Sequence, residues 1–168
     1  MKKVGIIVGI VVLLAVVFLA IPMESKVERS VVVNADRSLV FENVSKFENF
    51  IKWSPWSKID TTQKVIIAGE DGTLGAKYSW ESSNDEVGTG SQTITKINEN
   101  EIEMDLEFTA PWQSVSKVYF MFEDVAEGVK VTWGYRGEEN LMVKLMVEGM
   151  LEDCYDDGLS GLKTICEK

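Results

Sequence analysis

The sequence predicts an α+β domain, a curved antiparallel sheet around one long C-terminal helix, preceded by a transmembrane helix. Three observations carry this. Apolar and polar residues alternate with period two over much of the stretch from Gln63 to Arg136, the period changes to three- and four-residue steps after Gly137, and an apolar run extends from Val4 to Ile21.

The apolar run comes first. Its eighteen residues lack any charge or strongly polar side chain, about the length that crosses a hydrocarbon core of ~30 Å. A secretory signal peptide is the alternative, with Lys2 and Lys3 as its basic region. The run is longer than a signal core of ~7–15 residues, however, and cleavage after Ala20 would put bulky Phe18 where a small residue is wanted. An uncleaved anchor over residues 1–22 is therefore expected. Two lysines and no acid precede it, so the positive-inside tendency keeps the N-terminus cytoplasmic and the rest of the chain outside the cell membrane. Pro22 closes the helix, residues 23–26 read as a short linker, and residues 27–168 read as a single domain. So short a linker, at ~3.3–3.6 Å per residue, holds the domain near the membrane.

Val27 to Val33 is β-branched and reads as the first strand. Asn34, Ala35 and Asp36 offer a cap to a short helix with Leu39, Val40, Phe41 and Val44 on its apolar positions. Phe47, Phe50 and Ile51 suggest a second short helix, ended at the Trp53-Ser54-Pro55-Trp56 corner because Pro55 biases Ser54 away from helical angles. Gln63 to Ala68, Lys77 to Ser82 and Gly88 to Ile97 read as strands. The clearest strand is Glu101 to Phe108, where Ile102, Met104, Leu106 and Phe108 alternate with four acids. Val115 to Glu123 and Val129 to Arg136 complete the sheet. From Leu141 to Ile165 apolar residues recur at helical steps, giving one helix of about seven turns. Gly149, Gly158 and Gly161 inside it each cost ~1 kcal/mol relative to alanine and are expected where the helix approaches another backbone closely.

Composition narrows the chemistry. All 27 acids and fifteen of the 17 bases follow the apolar run, leaving that part of the chain at a formal charge of −12. This argues against nucleic acid and against adhesion to anionic headgroups, and an acidic, soluble surface is its plain meaning. Histidine is absent, which removes the usual general base and zinc ligand. Cys154 and Cys166 lie ~18 Å apart on the last helix, too far to pair, and read as small core residues. No cofactor or metal is expected. The acids Glu101, Glu103, Asp105 and Glu107 share an outward strand face at ~7 Å spacing, which does not converge on a cation.

The order of elements is a helix-grip arrangement, and several residue patterns strengthen that comparison. They are Val27-Glu28-Arg29-Ser30-Val31, the Trp-Ser-Pro-Trp corner, Gly75 ahead of Tyr78-Ser79-Trp80, Gly88-Thr89-Gly90, Val131-Thr132-Trp133, Gly158-Leu159 and Gly161-Leu162-Lys163. From Val27 to Glu167 the chain resembles the polyketide cyclase/dehydrase and START-like superfamily (SRPBCC), in particular its membrane-anchored members. The resemblance implies a hydrophobic cavity between sheet and last helix, used by different members to carry lipids, hold hormones or sterols, or cyclise polyketides.

The candidate cavity residues are Trp80, Met104, Leu106, Phe108, Phe120, Phe122, Trp133 and Tyr135 on the sheet, with Met146 and Met150 on the last helix. Aromatics on an inward strand face and methionines at four-residue steps suit a variable apolar ligand, though each also fills ordinary core. The expected partner is a hydrophobic small molecule or lipid. Two other readings stand beside it. One is a cyclase-type enzyme in which Tyr78, Tyr135 or Arg136 polarises a carbonyl. The other is a structural or interaction domain whose cavity has collapsed.

Overall fold

In the computed structural model the described residues are 21–168. The strands are β1 (Met23–Val33), β2 (Lys64–Ala68), β3 (Lys77–Glu81), β4 (Thr89–Asn98), β5 (Glu101–Ala110), β6 (Ser114–Val125) and β7 (Gly128–Glu139). The helices are α1 (Arg37–Ser45), α2 (Phe47–Trp53), α3 (Pro55–Ile59) and α4 (Leu141–Cys166). The strands form one antiparallel sheet in the order β1-β7-β6-β5-β4-β3-β2. The antiparallel sheet and long C-terminal helix agree with the expected architecture.

The apolar run falls outside the described residues except for Ile21. Among the described residues no helix is long and apolar enough to cross a membrane. β1 begins at Met23, four residues ahead of the expected start. Residues 23–26, read from sequence as a linker, are strand paired with Glu139 to Arg136. Their charges hid them: Glu24 and Lys26 break the apolar pattern, yet backbone pairing needs no particular side chain.

A third short helix, α3, was not expected. Ser54 leaves helical angles at ψ 127°, as the residue before proline should, and Pro55 then opens α3 at its first turn. The corner thus joins two helices.

Register defines two ends of the sheet. The far end carries the β4–β5 and β6–β7 turns and the exit of β1. There Arg37 at the start of α1 donates to Asp124 Oδ1 at 2.6 Å, to Glu99 O at 2.6 Å and to Asn100 Oδ1 at 2.8 Å. The leading end carries the start of β1, the β3–β4 and β5–β6 connections and the passage from β7 into α4, since Met23 pairs with Glu139 and Phe108 with Ser114.

α4 runs beside β1 from the leading end to the far end, tied by a row of polar contacts. Lys144 Nζ donates to Glu24 O at 2.5 Å and Ser25 Oγ to Glu148 at 3.2 Å. Arg29 meets Glu152 at 2.7 Å and Asp156 at 3.3 Å. Lys163 Nζ donates to Val32 O at 2.7 Å, and Asn34 N to Glu167 at 2.7 Å. The ion pairs are mostly exposed, each contributing ~0–1 kcal/mol, so they fix alignment more than stability.

Stability comes from the core on the inner face. Trp53, Phe120, Trp133 and Tyr155 are fully buried, with Trp133 stacked on Tyr155 at 4.0 Å and edge-on to Trp53 at 5.3 Å. A Cβ added at Gly158 would lie 2.7 Å from the Trp133 ring and 3.1 Å from Pro55, and one at Gly161 would lie 3.3 Å from Trp53 O. Two of the three helix glycines therefore admit a close approach, chiefly to the Trp-Ser-Pro-Trp corner. Gly149 has open space instead. Cys166 is buried, Cys154 is half-buried, and both are free.

Candidate functional site

The inner sheet face is the surface that an apolar ligand of this fold would meet. Directly opposed residues of an antiparallel pair share a face, so the register lays its side chains out in rows. Nearest the far end, Phe122 pairs with Val131; Ile102, Phe120 and Trp133 form the next row, and Ile94, Met104, Val118 and Tyr135 the one after. Towards the leading end lie Tyr78, Gln92, Leu106 and Ser116, then Trp80, Gly90 and Phe108.

Eight of the ten sequence candidates occupy these rows or their extension. Met104, Phe120, Phe122, Trp133, Trp80, Leu106 and Tyr135 are buried, and Phe108 is half-buried. Trp80 stands edge-on to Phe108 at 5.5 Å and stacks on Tyr78 at 5.4 Å. The other two are placed differently. Met146 and Met150 are exposed, pointing away from the buried face that Leu151, Tyr155, Leu159 and Leu162 define. Four residues advance a helix by 400°, so each step in Met142, Met146, Met150 drifts about 40°. That stripe reaches the packed face only at Gly158.

The space between the sheet and the second half of α4 is filled by rings. Two surface concavities lie elsewhere. One of about 320 Å³ sits between α3 and α4 by Pro55, Ile59 and Cys154, and one of about 520 Å³ at the far end by Arg37, Asn100 and Asp124.

The inner face holds a polar group that sequence reading passed over. Gln92 is 7 % exposed and its Oε1 has no hydrogen-bond partner among the described residues, although Tyr78 and Leu106 flank it across the strands. A buried acceptor left unpaired costs ~1–3 kcal/mol. Trp133 Nε1 is a second such atom, whereas Trp53 Nε1 donates to Asn43 O at 2.9 Å and Trp80 Nε1 to Val87 O at 3.1 Å. Counting back by twos from Ile97 puts Gln92 outside. A bulge between Ile94 and Lys96 reverses the face.

The enzyme candidates do not converge. Tyr135 points inward and donates to Glu139 Oε1 at 3.0 Å, and burial pushes its hydroxyl up to about 12, so at neutral pH it is a donor and not a base. Tyr78 is likewise raised to about 12 by burial. Arg136 lies on the opposite face, its guanidinium 5.4 Å from the centre of the Tyr119 ring. Tyr119 in turn donates to Glu28 at 2.6 Å. Alternation along β7 separates Tyr135 from Arg136 by the thickness of the sheet. Three of the four acids of the β5 row are in ion pairs, Lys117 meeting Glu103 at 3.4 Å and Asp105 at 2.5 Å, and Lys96 meeting Glu101 at 2.5 Å, while Glu107 is exposed.

Comparison with known proteins agrees with this architecture. No curated protein matches the sequence. An uncharacterized protein from Rhizobium leguminosarum superposes with a TM-score of 0.67 at 13% identity, over 88% of this chain and 97% of that one. The Aha1 dimer subunit from Colwellia psychrerythraea gives 0.62 at 14%, over 84% and 96%. The di-domain ARO/CYC StfQ from the steffimycin biosynthetic pathway gives 0.66 at 8%, covering 86% of this chain and 51% of that one. At such identities the likeness is one of fold. The sequence family described as polyketide cyclase / dehydrase and lipid transport matches residues 24–167, and the chain belongs to that family.

Proposed function

We propose that this chain is a membrane-anchored binding domain that takes up a hydrophobic small molecule or lipid between the inner sheet face and the first half of α4. The anchor is the apolar run Val4 to Ile21, and the domain faces away from the cytoplasm. The observation that carries the binding reading is the Gln92 carboxamide, a buried acceptor without a partner in a setting of Tyr78, Trp80, Leu106 and Phe108. A ligand with an apolar body and one hydroxyl would satisfy it, while the rings stack on the body.

Admission requires the first half of α4 to move. From Leu141 to Met150 no residue is buried, whereas Leu151 to Cys166 supplies the buried face of the helix. Segments with few buried apolar contacts open at low cost. The family description, which includes lipid transport, fits the same reading.

Native mass spectrometry and lipid extraction of the full chain, purified in mild detergent, test it, together with titration of a long-chain fatty alcohol followed by tryptophan fluorescence. One retained or titrated apolar molecule per chain is expected. Gln92→Leu should weaken the alcohol about tenfold without destabilising the fold, because it removes an unpaired acceptor along with the ligand contact. A chain that retains nothing and does not respond to the alcohol would falsify the reading.

A further inference from the structure

The outward face of α4 changes character midway. In the second half it is Glu152, Asp153, Asp156, Asp157, Ser160 and Thr164, as befits a helix flank in water. In the first half it is Met142, Leu145, Met146, Gly149 and Met150, with Met142 68 % and Leu145 63 % exposed. The charged residues of that half, Lys144 and Glu148, turn the other way, towards Glu24 and Ser25 of β1. Polarity is thus inverted over the first half, and the contacts to β1 hold the apolar side outward.

A second apolar group lies at the same end of the sheet. Extending the pairing of Lys117 with Arg136 brings Ser114 level with Glu139, so the β5–β6 connection with Trp112, which is 52 % exposed, neighbours the start of α4. The chain itself comes in there. Met23 pairs with Glu139, and Ile21, the last residue of the apolar run, is exposed just before it.

We infer that this leading end is a membrane-contact surface, in which Trp112 and the Met142, Leu145, Met146 face rest in the interface of an uncharged lipid bilayer. The inference rests on the proposed anchoring. With β1 starting at Met23 there is almost no slack between a bilayer-spanning segment and the folded sheet, so the leading end is the part of the domain held against the lipid. Tryptophan and amphipathic helix faces are suited to that layer. Glu24, Glu138 and Glu139 at this end make anionic headgroups poor partners, which selects a zwitterionic or neutral surface. The contact also sets the first half of α4, the part that must move to admit a ligand, directly at the lipid.

The test uses the full chain in phosphatidylcholine vesicles. Flotation with the vesicles checks the anchor; a chain that stays behind overturns the anchoring and this inference together. For a chain that floats, phosphatidylcholine brominated on its acyl chains should quench tryptophan fluorescence, and Trp112→Phe should remove most of that quenching. Leu145→Glu, an exposed change that leaves the fold intact, should reduce it. Absence of quenching, or equal quenching in Trp112→Phe, overturns the bilayer contact with the anchor standing, and covers the cases where a second copy or residues 4–20 occupy the face. Replacing part of the lipid by phosphatidylglycerol should leave the quenching unchanged or lower it; an increase overturns the uncharged contact.

Discussion

The two halves of α4 share a period and differ in everything that the period is supposed to secure. Leu151 to Cys166 buries Tyr155, Leu159 and Leu162 under the aromatic cluster and shows acids to water, while Leu141 to Met150 packs only the half-buried Val147 against the core and shows methionine and leucine. Helical spacing states that residues lie on a stripe; it does not say which stripe faces the core. The second half is held by packing. The first is held by Asn140, whose side chain accepts from Met142 N and Val143 N, by polar contacts to β1, and by the single half-buried Val147.

Substitutions can break this contrast, beginning with the largest effect. Tyr155→Ala removes the ring stacked on Trp133 and should cost about 3–5 kcal/mol in urea unfolding. Leu145→Ala, half a helix away, should stay within ~0.5 kcal/mol. Equal losses at the two positions would show that the first half packs after all. Gly158→Ala, which drives a Cβ into Trp133 and Pro55, should lower stability by about 1–3 kcal/mol. Asn140→Ala should cost about 1 kcal/mol and speed amide exchange in the first turns alone. Gly149→Ala meets nothing within 4 Å and should raise the unfolding midpoint, by up to ~1 kcal/mol of stability.

Much of the fold was legible because strong signals and tertiary structure agreed. The alternation of β5 put Ile102, Met104 and Leu106 inside, and that of β7 put Trp133 and Tyr135 inside. Less of the candidate site was legible. Gln92 sits in a polar strand whose bulge reverses the face, and no side-chain pattern announces a bulge there. Flexible thioethers at four-residue steps make Met146 and Met150 look like cavity lining, but slow rotation of that step carries them to the outer face. Met23 to Lys26 reads as linker because its pairing is made by the backbone, which composition does not record.

Hydrogen exchange along α4, with and without a long-chain fatty alcohol, tests most directly the claim that an apolar ligand enters beneath the first half of the helix. Amides of residues 141–150 should exchange much faster than those of 151–166 in the free chain and slow on addition of the alcohol, with the second half unchanged. Equal exchange in both halves, or rates that the alcohol leaves untouched, would contradict it.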